Sequence, residues 1–107
     1  MLLDPKTFQK LKHNGAYGGK IFAKLQGGGA VWLLTGMEAD NDTVWALSDI
    51  GKGFIEYGAV SLKSLQLISK MTDTQIEQDK FFVPSGTLQD YLKCKSLVDS
   101  NKNCAIV

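Results

Sequence analysis

Three short segments between Lys20 and Asp49, KIFAKLQ, AVWLLTG and TVWALSD, constrain this chain most. Each is rich in β-branched and aromatic residues, and each is bounded by glycine or by asparagine and aspartate, the composition of strands separated by tight turns. They predict strands over about residues 20–26, 30–36 and 43–49. Loops this short favour an antiparallel arrangement over the longer crossover that parallel neighbours need. Gly27 to Gly29 join the first two as a hairpin loop. A phosphate cradle would need a helix after the glycines, and a strand follows instead.

Helices punctuate the chain around these strands. Asp4 as cap, Pro5 at the first helical position and Gly15 after the end predict a helix over about residues 5–13, with Phe8 and Leu11 facing inward. FIEYGAVS reads as a fourth strand, and Ser61 then caps a helix whose Leu62, Leu65 and Ile68 share a core-facing side. KFFVP is a further extended piece ending at Pro84, which cannot donate to a ladder. Thr87 and Asp90 open a last helix that buries Leu88, Tyr91 and Leu92. The expected fold is a small α+β domain: a single antiparallel sheet of four to five strands with about three helices covering one face. A length of 107 residues with 44% apolar composition fits one core. Residues 1–95 form the expected domain, and the polar stretch from Ser96 to Val107 a flexible tail.

Charge narrows the function classes. The formal net charge is +1, and every one of the 12 basic residues is lysine. Without arginine's planar fork for phosphates and guanine edges, no nucleic-acid partner is expected. No apolar run approaches the roughly 18 residues of a membrane span, MLLDPKTF lacks a secretion signal's charged start and long apolar stretch, and Leu2 is not the glycine that N-myristoylation requires. Two cysteines, Cys94 and Cys104, give no disulfide framework, which favours a reducing compartment.

Catalytic constellations are sparse. There is no Ser/His/Asp or Cys/His arrangement, no zinc spacing and no Walker or dinucleotide motif. His13 reads as a cation at a helix C-terminus. The loop MEADNDT spaces Glu38, Asp40 and Asp42 like the opening of a calcium loop, but Thr43 takes the place of the required glycine and Asp49 that of the final glutamate, so it reads as a polar turn with no metal. A carboxylate-dependent hydrolase would need two of Glu38, Asp49, Glu56, Glu77 and Asp79 to converge. The expectation is no enzyme and no cofactor. Trp32 and Trp45 have the same phase in their strands and are expected side by side, first of all as core; the second reading, an exposed aromatic patch, makes them with Glu56 the candidate partner-binding residues.

From Val31 to Leu92, VWLLTGMEADNDTVWALSDIGKGFIEYGAVSLKSL followed by QIEQDKFFVPSGTLQDYL resembles a bacterial family of small proteins designated domain of unknown function 2958. The likeness rests on a tryptophan strand ending in Leu-Thr, an acidic loop, a strand leading to Asp49 and Gly51, and the segment Glu56, Gly58, Val60, Ser61, Leu62. Ile76, Glu77, Asp79, Phe82 and Pro84 extend it. The resemblance implies a bacterial lineage often met on plasmids and mobile elements, and no settled activity. Gly36 stands where members commonly carry an acid, and Trp45, Ala46 and Leu47 replace a typical Phe-Gly-Leu. A carboxylate-dependent activity of the family would be lost with that acid.

The chain ends in Cys104, Ala105, Ile106 and Val107, which resembles the C-a-a-X prenylation box of some host-delivered bacterial effectors. A prenyltransferase's zinc activates the thiol while its pocket reads the aliphatic residues; Val107 leaves farnesyl and geranylgeranyl both open. One prenyl chain anchors only marginally, and palmitoylation of Cys94 is a candidate second signal. The leading expectation is a small noncatalytic effector-like domain, secreted into a host cell, modified by a host prenyltransferase, held on the cytoplasmic face of a host membrane and binding a host protein. The alternative is a bacterial cytoplasmic or mobile-element protein, concerned with DNA transfer or defence, whose terminal cysteine is accidental.

Overall fold

The computed structural model describes residues 2–15, 20–84, 86–94 and 96–97. In chain order the elements are α1 (Pro5–Asn14), β1 (Ala23–Gly27), β2 (Ala30–Met37), β3 (Thr43–Asp49), β4 (Glu56–Ser61), α2 (Leu62–Met71), β5 (Glu77–Gln78) and α3 (Leu88–Leu92). The strands form one antiparallel sheet in the order β4-β3-β2-β1-β5. This is the α+β fold that the strand pattern predicts, with five strands and three helices.

Local chemistry explains the elements. Asp4 caps α1 by accepting the Thr7 N–H at 2.8 Å, Pro5 sits at the first helical position, and the N–H of Gly15 closes the end on Leu11 and Lys12 carbonyls. The β1–β2 hairpin pairs Gly27 with Ala30, so the turn itself is Gly28–Gly29, both at positive φ (61° and 77°). Ser61 caps α2 through the Ser64 N–H, and Thr87 and Asp90 form a reciprocal capping box on α3.

Both faces of the sheet are covered, not one. Trp32, Leu34, Val44 and Ala46 pack with Leu11 of α1 and Leu62 and Leu65 of α2. On the other face Val31, Leu33 and Leu47 pack with Ile21, with Leu88 and Tyr91 of α3 and with Cys94. Every residue of β2 is therefore buried, the signature of a central strand sandwiched on both sides.

Four local expectations are corrected. The fifth strand is Glu77–Gln78, paired with β1, and not KFFVP, where Phe82 packs inward while Phe81 and Val83 are exposed. Ile68 is exposed because only the first turn of α2 reaches the core. Leu92 is exposed because Leu88 and Tyr91, three residues apart, define the buried side of a five-residue helix. Trp32 and Trp45 lie on opposite faces. Trp32 pairs with Ser48, and Trp45 lies three residues from Ser48 along β3, an odd step that turns it to the other face.

Candidate functional site

The half of the sheet built by β3 and β4, on the face carrying α3, brings together Trp45, Tyr57, Thr35 and Glu38. Register sets this grouping: Leu47 opposes Tyr57 and Trp45 opposes Ala59, so all four point to the face of Leu33 and Leu47. The rings of Trp45 and Tyr57 have centroids 5.8 Å apart at an interplanar angle of 35°, within the range of favourable aromatic pairs. Each polar tip is held. The Trp45 indole N–H donates to Glu38 Oε1 at 2.8 Å, and the Tyr57 hydroxyl shares a 2.8 Å hydrogen bond with Thr35 Oγ1. The buried Thr35 hydroxyl also lies 3.2 Å from the Trp45 carbonyl, and its own carbonyl accepts from the Asn14 side chain at 2.8 Å. Tyr57 is 36% exposed and Ala59 is exposed beside it, so the patch meets solvent.

The acidic loop has structural work for all three carboxylates. Glu38 takes the indole N–H of Trp45. Asp40 accepts from the Asp42 and Thr43 N–H groups and from the Thr43 hydroxyl at 2.6 Å, which holds its carboxyl down at about 2. Asp42 ties the loop to α2 by accepting from the Ser61 hydroxyl at 2.6 Å and the Lys63 N–H at 2.8 Å, and those bonds lower its pKa as well. Among the described residues no group of three or more His, Cys, Asp or Glu side chains is placed to hold a metal ion.

Of the five carboxylates considered for hydrolysis, Glu77 and Asp79 stand two residues apart at the β5 edge, and the other three are dispersed. Asp49 is buried at the far end of β3 from the Glu38 loop; its Oδ1 accepts from the Gly51 N–H at 2.9 Å and its Oδ2 from the Ser96 hydroxyl and the Leu97 N–H. Glu56 is exposed on β4, opposite Ser48 and thus on the other face from Asp49. Glu77 lies at the opposite edge on β5, and Asp79 approaches Lys24 at 3.9 Å. Of the three candidate binding residues, Trp45 lines the aromatic patch, Trp32 is buried under the helices, and Glu56 stands on the edge strand. His13 is exposed in the last turn of α1.

Thr35 and Tyr57 are the members of the patch that sequence reasoning misses. The signal for Thr35 was a lone hydroxyl within an otherwise apolar central strand, a group that must find a partner when buried. Tyr57 becomes legible only once β4 is registered against β3.

Cys94 is buried against the core under α3, and its sulfur is disulfide-bonded where the sequence predicts a thiol. Palmitoylation there requires reduction and exit from that core. Cys104, Ala105, Ile106 and Val107 lie outside the described residues. Ser96 and Leu97, expected to begin a tail, are held by the buried Asp49. No described helix is long and apolar enough to cross a membrane.

No curated protein and no solved structure matches the chain significantly. A family model described as a protein of unknown function (DUF2958) matches residues 19–100, which takes in all five strands, the aromatic patch and Asp49 but stops short of Cys104. The chain belongs to the DUF2958 family.

Proposed function

We propose that this chain is a noncatalytic binding domain of bacterial lineage that works inside a host cell, tethered through prenylated Cys104 to the cytoplasmic face of a host membrane, where it engages a host protein. The observation that carries the binding half is the Trp45–Tyr57 pair: two aromatic rings fixed by Glu38 and Thr35 and presented at the surface. Rings locked in place before contact lose little freedom on binding, which is why aromatic anchors dominate interface energetics. Glu38, Asp49 and Glu56 stand apart from one another and from Glu77 and Asp79 at the β5 edge, which supports a role without catalysis.

The tether rests on the terminal Cys-Ala-Ile-Val alone. Lipid attachment at either cysteine needs the chain in its reduced form. Expression of the full chain in animal cells tests the tether: the wild type should fractionate with membranes and its C-terminal peptide should carry a prenyl mass, both lost in Cys104→Ser. A diffuse, unmodified wild type would overturn it and return the chain to the bacterial cytoplasm.

A further inference from the structure

The two edges of the sheet differ in a way that points to a partner. β5 closes one edge with only two residues. β4 forms the other along six, Glu56–Ser61, and among the described residues no strand lies beyond it. An edge strand offers a row of unpaired N–H and C=O groups, and soluble chains usually blunt such edges with lysine, proline or a bulge. β4 carries one charge, Glu56 at its start, and no lysine, proline or bulge: its sequence is EYGAVS, and it runs in unbroken register against β3 from Thr43↔Ser61 to Ser48↔Glu56. Glu56, Tyr57 and Ala59 are exposed, and an open groove runs along the strand, lined by Ser48, Glu56, Tyr57, Gly58, Ala59 and Val60.

We propose that β4 pairs antiparallel with β4 of a second copy, with Ala59 on the two-fold axis, joining two five-stranded sheets into one of ten. The strand is self-complementary in that register. Residues that face each other must come from the same side of the sheet, which restricts a symmetric pairing to one centred on a residue. Centring on Ala59 places Tyr57 opposite Ser61 and Gly58 opposite Val60, and the axis itself is occupied by the small Ala59. Glu56 is the strand's sole charge, and this register carries it past the partner's strand end instead of opposite the partner's Glu56, so no like charges meet. Lys63, exposed at the start of α2, stands just beyond that end and offers Glu56 an opposite charge, although Asp42 bonds the same turn from the β3 side.

A second copy also completes the site. Trp45 opposes Ala59 on the face that carries Tyr57. Pairing at Ala59 therefore continues the aromatic strip across the axis, as Trp45, Tyr57 and Ala59 of one copy followed by Ala59, Tyr57 and Trp45 of the other. The pairing does not depend on the tail. Where the tether holds, it gives each assembly two lipid chains, and two signals are what stable anchoring requires.

Sedimentation equilibrium of the full, unlipidated chain from micromolar to millimolar concentration tests this. The mass should rise with concentration to twice that of one chain; a single-chain mass throughout overturns the proposal. Ala59→Lys sets two ammonium groups against each other on the axis and should weaken dimerisation roughly tenfold or more, with thermal unfolding little changed because Ala59 is exposed. A dimer that survives Ala59→Lys would place the interface elsewhere. Hydrogen exchange of wild-type residues 56–61 needs no substitution: protection should grow with concentration, and protection independent of concentration overturns the pairing.

Discussion

The indole N–H of Trp45 donates to the carboxylate of Glu38 at 2.8 Å, across the β2–β3 turn. This bond turns an acidic loop into a brace for the aromatic patch. Glu38→Ala should cost about 1–2 kcal/mol, the low end for a hydrogen bond to a charged group because water can partly replace it at this half-buried position. Trp32 is buried in the other core, so a red shift of tryptophan emission in Glu38→Ala reports Trp45 alone. Unchanged emission would mean that Glu38 does not hold the ring.

Asp49 fastens the chain after α3 to the sheet. Its Oδ2 accepts the Leu97 N–H at 2.8 Å and the Ser96 hydroxyl at 3.1 Å. Asp49→Ala removes the acceptor of these part-buried hydrogen bonds and should destabilise by roughly 1–3 kcal/mol. Denaturant melts measure the loss, and hydrogen exchange should show residues 94–97 opening before the strands.

Gly27 and Gly58 should respond oppositely to a methyl group. A Cβ on Gly27 would collide with the backbone of Gln75 and Ile76, the Ile76 Cα lying 2.8 Å away. Gly27→Ala therefore forces β1 and the segment leading to β5 apart, and a loss of about 2 kcal/mol or more is expected. Gly58 meets nothing within 4 Å. Gly58→Ala should leave stability within about 0.5 kcal/mol of wild type. Thermal melts of the two variants make the comparison.

Acid should loosen the β2–β3 loop at an unusually low pH. Asp40 titrates at about 2 in the folded chain, against 3.8 for a free carboxyl, because the Thr43 hydroxyl and the Thr43 and Asp42 N–H groups stabilise its anion. A depressed folded pKa contributes stability that is complete above the free value and is lost as pH falls from there through about 2. Asp42, Asp4 and Asp90 shift in the same direction, led by a side-chain bond from Ser61 and by backbone bonds from Thr7 and Thr87 respectively. Asp40→Asn cannot titrate there, so its stability should fall less steeply between those pH values. An identical acid profile would contradict the assignment.

The strands and caps were legible because their signals are local. β3 falls at Thr43–Asp49 as its β-branched and aromatic content and its flanking Asn and Asp indicate, and Asp4, Ser61 and Thr87 cap the helices as their side chains allow. What was not legible depends on contacts between distant segments. FFV reads as a strand by composition, yet the two residues that pair with β1 are Glu77 and Gln78; Gln78 also accepts the Asp4 N–H and donates to Thr7, 74 and 71 residues away in the chain. The opposed faces of Trp32 and Trp45 follow from the pairing of Trp32 with Ser48, three residues along β3 from Trp45, a register that no periodicity count reveals. Of the site, the sequence marks Trp45 as a core or binding residue and Glu38 as a loop acid and candidate catalytic carboxylate. Thr35 and Tyr57 required the register.

Proximity labelling in animal cells, comparing the full chain with its Tyr57→Lys variant, tests the binding claim most directly. Tyr57→Lys removes one ring of the pair at a partly exposed position, and its melting curve verifies that the domain still folds. Both chains should reach membranes, with a set of labelled host proteins present for the wild type and lost for Tyr57→Lys. The same labelled proteins for both chains would contradict the account, because the Trp45–Tyr57 patch would then not be the surface that binds.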